Sequence, residues 1–323
     1  MDLPIRPRRN RKSNAVRQAI AETHLSKDHL VYPMFVSEGD SVYEEIKTMP
    51  GQFRLGQKKA LSLAQEAWKN GIRSFAIFPV VADSQKDKKA SKAVDPNHFL
   101  LRFFTEFKNL LPEATLISDV ALDPFSSDGH DGLVENGIIL NDASVEVLAK
   151  MAALHARAGA DFVAPSDMMD GRVAAIRQIL DDQGFENTGI ISYSAKYASA
   201  FYGPFRDALS SAPKSGDKKT YQMDPRNSRE ALREVSLDIA EGADMVMVKP
   251  ASAYLDIIRS VREISDVPVA AYNVSGEYAM IKFAALAGGI DEKAAVLESM
   301  TAIRRAGADL IFTYWALDLA RWL

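Results

Sequence analysis

Eight short, nearly continuous apolar runs alternate with helical patterns, and a glycine-centred punctuation recurs before four of them; together these predict a closed (β/α)8 barrel of the TIM type. Length agrees, because 323 residues suit one such barrel and sit awkwardly as two separate domains. The runs lie at 29–36 (HLVYPMFV), 74–80 (SFAIFPV), 114–122 (ATLISDVAL), 161–166 (DFVAPS), 189–196 (GIISYSAK), 244–249 (DMVMVK), 267–275 (VPVAAYNVS) and 309–316 (DLIFTYWA). Each is rich in β-branched or aromatic residues and nearly continuous in hydrophobicity, as expected of strands covered on both faces. Segments such as 145–158 and 228–240 carry apolar residues at helical spacing, so the order reads βαβα and implies a parallel sheet.

The punctuation is Asn70-Gly71-Ile72, Ala158-Gly159-Ala160-Asp161, Glu241-Gly242-Ala243-Asp244 and Ala306-Gly307-Ala308-Asp309. A glycine there takes the left-handed conformation that ends a helix and turns the chain into the next strand. Residues 1–28 fall outside the rhythm. Arg6, Arg8, Arg9, Arg11 and Lys12 make them a basic segment that cannot bury itself, either a solvated end or an arm reaching a neighbouring subunit. Residues 29–323 are then a single barrel domain.

Composition narrows the function. A 47% hydrophobic content supports a large core, and a net charge of -4 argues against nucleic-acid or membrane-surface partners. With no cysteine, a disulfide framework, a thiolate zinc site, an iron–sulfur cluster and a cysteine nucleophile are all excluded. No apolar run approaches the roughly 18 residues of a membrane span, and the basic start MDLPIRPRRNRK lacks the apolar stretch of a secretory signal, so a cytoplasmic location is expected.

Barrel enzymes place catalytic groups at the C-terminal ends of their strands. The fifth run ends in Lys196 and the sixth in Lys249, although lysine normally occupies solvated helix faces. An amine desolvated there beside a second cation loses its proton near neutrality, and a neutral amine attacks a ketone to form a Schiff base. The seventh and eighth runs bring the hydroxyls of Ser275 and Tyr314 to the same rim. The third leads into a loop, 119–132, holding Asp119, Asp123, Asp128, His130 and Asp131, carboxylates that cannot all ionise together without cations nearby. Lysines supply some of that charge, and a hard divalent ion such as magnesium could supply more. Residues 203–225, without obvious structure and carrying Arg206, Lys214, Lys218 and Lys219, read as a mobile basic lid suited to an anionic carboxylate substrate.

Long segments carry a resemblance: SDVALDPFSSDGHDG from Ser118, APSDMMDGR from Ala164, SYSAKYASAFYGPFRDA from Ser192, KKTYQMDP from Lys218, GADMVMVKPA from Gly242 and NVSGEY from Asn273. Through them essentially the whole chain resembles the porphobilinogen synthase (5-aminolevulinate dehydratase) family. The resemblance implies a lyase of tetrapyrrole (heme or chlorophyll) synthesis that condenses two 5-aminolevulinate molecules, and an allosteric homo-octamer assembled through N-terminal arms. It implies that Lys249 holds the propionate-side substrate as a Schiff base, that Lys196 holds or activates the acetate-side substrate, and that Ser275 and Tyr314 bind the first carboxylate. Arg206, Lys218 and Gln222 would grip the second carboxylate, while Asp119, Ser166 and Tyr202 line the second subsite. Zinc-dependent members carry cysteines at the positions of Ala121, Asp123 and Asp131, so this chain resembles the aspartate-rich, magnesium-responsive branch, with no zinc and no organic cofactor. There a regulatory magnesium sits near the counterpart of Glu234; Asp123 and Asp131 are further candidate ligands. Glu234 falls on a helix that Asn227-Ser228-Arg229-Glu230 opens as a capping box.

Two other readings make different demands. A class I aldolase acting on a sugar phosphate needs one essential lysine and a phosphate-binding glycine turn, for which Val274-Ser275-Gly276 and Leu286-Ala287-Gly288-Gly289 are weak candidates. A catalytically dead, basic-armed scaffold would bind nucleic acid through residues 6–12, against the acidic overall balance.

Overall fold

A computed structural model describes residues 3–323; of the expected arm, Met1 and Asp2 lie outside the described residues. Eight parallel strands close into a barrel: β1 (Leu30–Ser37), β2 (Ser74–Val80), β3 (Thr115–Val120), β4 (Phe162–Pro165), β5 (Gly189–Lys196), β6 (Met245–Lys249), β7 (Val269–Asn273) and β8 (Leu310–Thr313). Closure is made by Leu30 and Val31 of β1 pairing with Ile311 and Phe312 of β8. Every predicted apolar run coincides with one strand, β1 running one residue past its run, and the strands are buried along nearly their whole length, which is why their sequences show no alternation.

Outer helices return the chain between strands, α1 (Gln57–Lys69), α2 (Phe99–Leu110), α3 (Asn141–Arg157), α4 (Arg172–Asp182), α5 (Arg229–Ala240), α6 (Leu255–Ile264) and α7 (Glu292–Ala306), and α8 (Ala316–Trp322) follows β8. The glycine punctuation does what its position requires. Gly307 ends α7 at φ 128°, and a Cβ added there would come within 2.7 Å of the Arg262 side chain, so both conformation and space select glycine. Large rings fill the barrel interior: Tyr272 packs against Phe312 at 5.4 Å and Tyr193 at 6.3 Å, and Phe35 stacks on Tyr314 at 5.8 Å.

Two expectations change, and a third segment gains local structure. Residues 203–225 are not structureless: Pro204 opens a helix, Gly203–Leu209, whose last turn ends at Ser210 in the left-handed conformation. Two cations from the rim satisfy its orphaned carbonyls. Arg54 donates to Asp207 O (2.5 Å) and Ala208 O (2.7 Å), and Lys86 donates to Leu209 O (3.3 Å) and Ser210 O (2.8 Å). The capping box before α5 does not form, because Ser228 rather than Asn227 takes the N-cap, at φ -107°, ψ -38° and without a side-chain cap; the Asn227 side-chain amide donates to the Glu230 carboxylate instead, at 3.0 Å. The N-terminal segment is folded locally, with a 3-10 turn at Pro7–Arg11 and a helix at Asn14–Ala19, yet no residue of either is buried.

Candidate active site

The two lysines come together through a defect in the sheet. Along β5 and β6 the pairing begins as Met245 with Ile191 and Val246 with Ser192, then shifts by one residue, so that Val248 pairs with Ala195 and Lys249 with Lys196. Without that bulge Lys249 would lie opposite Ala195 and Lys196 would face the other side of the sheet, because successive residues alternate faces. With it, the two amines rise level from adjacent strands, each residue only 6% exposed.

Their surroundings differ sharply. Lys249 has no ion pair among the described residues; its amine lies 4.5 Å from the ring centre of Tyr272, 4.9 Å from Tyr193, 5.0 Å from Phe205 and 5.3 Å from Tyr202. Burial and the nearby Lys196 charge lower its pKa from 10.5 to about 7, and the aromatic faces offer only partial compensation. Lys196 donates to the Asp131 carboxylate at 3.0 Å and to the Ser166 carbonyl.

The aspartates of the β3 loop also divide. Asp131 accepts from Lys196, from Lys218 (2.6 Å) and from Gln222 (3.4 Å), and the two lysines hold its carboxyl well below the usual carboxylate range against the effect of burial. Lys218 also reaches Asp123, at 3.4 Å. Asp119 is buried with one oxygen unpartnered, and burial together with the Asp123 charge pushes its pKa up to about 7. A buried amine and a buried carboxyl thus both change protonation near neutrality, the pairing expected of a site that moves protons. His130 faces the lid, between the Tyr221 hydroxyl (3.1 Å) and the Ser215 carbonyl (3.0 Å).

Asp119, Asp123, Asp131, Ser166, Lys196, Tyr202, Arg206, Lys218, Gln222 and Lys249 line one cavity, so ten of the residues singled out in the sequence converge. The cavity holds about 30 Å³, room for a water or two. Ser275 and Tyr314 lie beside it. The Ser275 hydroxyl accepts from the Phe205 amide at 2.9 Å, and the Tyr314 hydroxyl meets that of Tyr272 at 3.1 Å. Phe205, on the lid helix, therefore meets both sides, its ring 5.0 Å from Lys249 Nζ and its amide on the Ser275 hydroxyl. Glu234 lies elsewhere, half-buried on α5, facing Asp170 and Glu230; burial and the charges of Asp238, Asp170 and Glu230 raise its pKa. Sequence reasoning missed the aromatic chamber of Tyr193, Tyr272 and Phe205. Its trace was there, since each ring sits within three residues of a singled-out site residue, but rings in apolar runs read as core.

The family model for Delta-aminolevulinic acid dehydratase matches residues 4–322. The chain is 53% identical to the chloroplastic delta-aminolevulinic acid dehydratase of Physcomitrium patens, over 99% of this chain and 74% of the relative. It is 51% identical to the delta-aminolevulinic acid dehydratase of Synechococcus elongatus, over 98% of each chain. Among solved structures, the Toxoplasma gondii delta-aminolevulinic acid dehydratase (porphobilinogen synthase) in complex with the reaction product porphobilinogen superposes with a TM-score of 0.98 at 52% identity, covering 99% of this chain and 92% of that one.

The environment of Lys249 has a consequence for stability. Its pKa is about 7 folded against 10.5 unfolded, so the unfolded chain binds the extra proton and burial of the amine is most costly below pH 7. That cost shrinks by about 1.4 kcal/mol for each pH unit above 7 and vanishes near 10.5. Lys249→Met should therefore be more stable than the parent in urea unfolding at pH 6.5, with the gain narrowing by pH 9.5. A variant less stable at pH 6.5 contradicts the assigned environment.

Proposed function

The chain belongs to the delta-aminolevulinic acid dehydratase family and condenses two 5-aminolevulinate molecules to porphobilinogen with loss of water, and from this we propose how its own residues carry the reaction. Lys249 is the Schiff-base lysine for the first substrate. Its neutral amine adds to the ketone carbon, the former carbonyl oxygen takes a proton, and the carbinolamine expels water to leave the imine. The observation that carries this assignment is the unpaired amine inside four aromatic faces, with its pKa near 7.

Lys196, level with it and anchored on Asp131, holds or activates the second substrate; Asp119, unpartnered at one oxygen and poised near neutrality, moves protons between the reacting centres. Ser275 and Tyr314 take the first carboxylate once the Phe205 ring moves aside. Arg206, which forms no ion pair among the described residues, takes the second with Lys218 and Gln222, whose present partner is Asp131. Tyr202 and Ser166 close the second subsite, Tyr202 by donating to the Lys249 carbonyl at 3.1 Å. Two such lysines favour this chemistry over the single-lysine aldolase, and Leu286-Ala287-Gly288-Gly289 leads out of the far end of the helix Ser275–Leu286.

Magnesium belongs to the same reading, at Glu234. No three carboxylate or imidazole groups among the described residues are clustered to enclose an ion, but an excess of half-buried negative charge suits one that keeps most of its waters. Asp123 and Asp131 fit less well, since lysine ammonium groups already occupy them. There the ion would supply positive charge to α5, away from the reacting atoms. The exposed arm, with Ile5 82% and Ile20 52% accessible, suits docking on a second copy and so an arm-linked homo-octamer. A cytoplasmic location completes the reading, supported by full-length similarity to bacterial relatives.

Borohydride reduction in the presence of 5-aminolevulinate should leave a mass-mapped adduct on Lys249, and Lys249→Ala should lose turnover with its circular dichroism unchanged; near-normal activity in that variant refutes the assignment. Glu234→Gln should abolish any magnesium stimulation without lowering basal turnover, and stimulation that survives moves the ion elsewhere. Deleting residues 1–20 should reduce the mass measured by sedimentation, and an unchanged assembly removes the arm from the interface.

A further inference from the structure

Directly behind Lys196 lies a buried ionic cluster that takes no part in the chemistry just described. Arg172, the first residue of α4, is 2% exposed. Its guanidinium donates to both oxygens of Asp238 on α5 (3.1 and 3.3 Å), to the Ser192 hydroxyl (3.0 Å) and to the Tyr193 carbonyl (3.4 Å), both on β5, and to the Met169 carbonyl (3.4 Å). Ser192 in turn donates to Asp238 at 2.6 Å. One cation therefore ties together the loop leaving β4, the bulged stretch of β5 and the helix covering it.

The loop itself carries three local costs. Asp167 is fully buried; one oxygen accepts from the Met169 amide at 2.7 Å, while the other has no hydrogen bond and lies 3.8 Å from Arg172 Nε. Arg172 Nε is likewise unpartnered. Met168, next in the chain, is held at φ 68°, a conformation that side-chain-bearing residues adopt at a price. A buried ion cluster is a weak stabiliser, because well-packed apolar residues of similar volume often do as well or better. Unpaired buried groups and backbone strain persist together where geometry is what is being maintained.

What that geometry serves is next door. Ser166, immediately before Asp167, presents the carbonyl that accepts from the Lys196 ammonium, and Tyr193, whose carbonyl Arg172 holds, lays its ring 6.0 Å from Lys196 Nζ and 4.9 Å from Lys249 Nζ. We propose that Arg172 and Asp167 form a positioning clamp for the reaction. They lock the β4 loop against β5, so that the Ser166 carbonyl fixes the Lys196 amine and the Tyr193 ring stays beneath both amines. The motif Asp167-Met168-Met169-Asp170-Gly171-Arg172 is thus a support for catalytic geometry. Neither clamp residue touches substrate; both act through Lys196.

The inference rests on the roles proposed for the two lysines, and one experiment separates the failures. Full-length parent, Asp167→Asn and Arg172→Lys are compared for kcat, KM, thermal melting and borohydride trapping by 5-aminolevulinate. Asp167→Asn keeps shape and the Met169 hydrogen bond, so it remains informative if the arginine variant fails to fold. A misplaced amine costs about 100-fold in rate. Asp167→Asn should therefore lose about that factor in kcat, with KM little changed and the Lys249 adduct at parental yield. Parental kcat in folded Asp167→Asn overturns the clamp. So does loss of the Lys249 adduct together with cooperative melting, which marks a purely structural role. Absence of the adduct in the parent itself refutes the lysine assignment instead.

Discussion

Two primary amines held level on neighbouring strands, inside a chamber nearly closed to water, cannot both keep a proton cheaply. Everything else about the site follows from how that conflict is resolved. Asp131 gives one amine, Lys196, a carboxylate to rest on; the other, Lys249, receives only ring faces and is driven toward its neutral form. The asymmetry separates two chemically identical side chains into different roles, in the way paired carboxylates are separated in other enzymes. It depends on a single extra residue in β5, since the bulge between Val246 and Val248 is what turns both lysines to one face.

The bulge also explains which parts of the site the sequence disclosed. Strands were legible because burial on both faces removes alternation and leaves apolar runs, and the helix-ending glycines marked where four of the runs begin. Lys196 and Lys249 were legible because a lysine at the end of an apolar run contradicts its surroundings. Their exact opposition was not, for pairing register is a relation between strands and leaves no mark in either one. The same limit hid the aromatic chamber: Tyr193 and Tyr272 belong to apolar runs, where a ring reads as core until the barrel closes and shows what the ring faces.

Local signals failed where tertiary contacts supply what the local motif promised. Asn227 stands three residues before Glu230, the right spacing for a capping box, yet the helix starts one residue later, with Ser228 at its N-cap, and Asn227 meets Glu230 only side chain to side chain. The segment 203–225 reads as a loop because its short helix has no apolar period of its own. Arg54 and Lys86, distant in sequence, hold that helix at its carbonyl end, while Ser275 receives the Phe205 amide. Arg172 went unread for a related reason: a lone arginine at a helix start looks solvated until Asp238 and Ser192 arrive from two other elements.

Lid position and site electrostatics are consequently one variable. Lys218 belongs to the lid segment, and it pairs with Asp123 and shares Asp131 with Lys196. Withdrawing it would leave Asp131 to Lys196 alone and Asp123 without its cation near Asp119, whose own proton is already held more tightly by burial and by the Asp123 charge. A substrate carboxylate that attracts Lys218 or Arg206 therefore does more than dock. It competes with Asp131 for the same cation and so shifts the proton affinity of the carboxyl beside Lys249. With room for only a water or two in the closed cavity, substrate entry requires the lid to lift, so each arrival passes through the state in which those carboxylates are least compensated. Lid closure, charge neutralisation and assembly of the proton-moving pair are then a single step, set by where one lysine on the lid finds its partner.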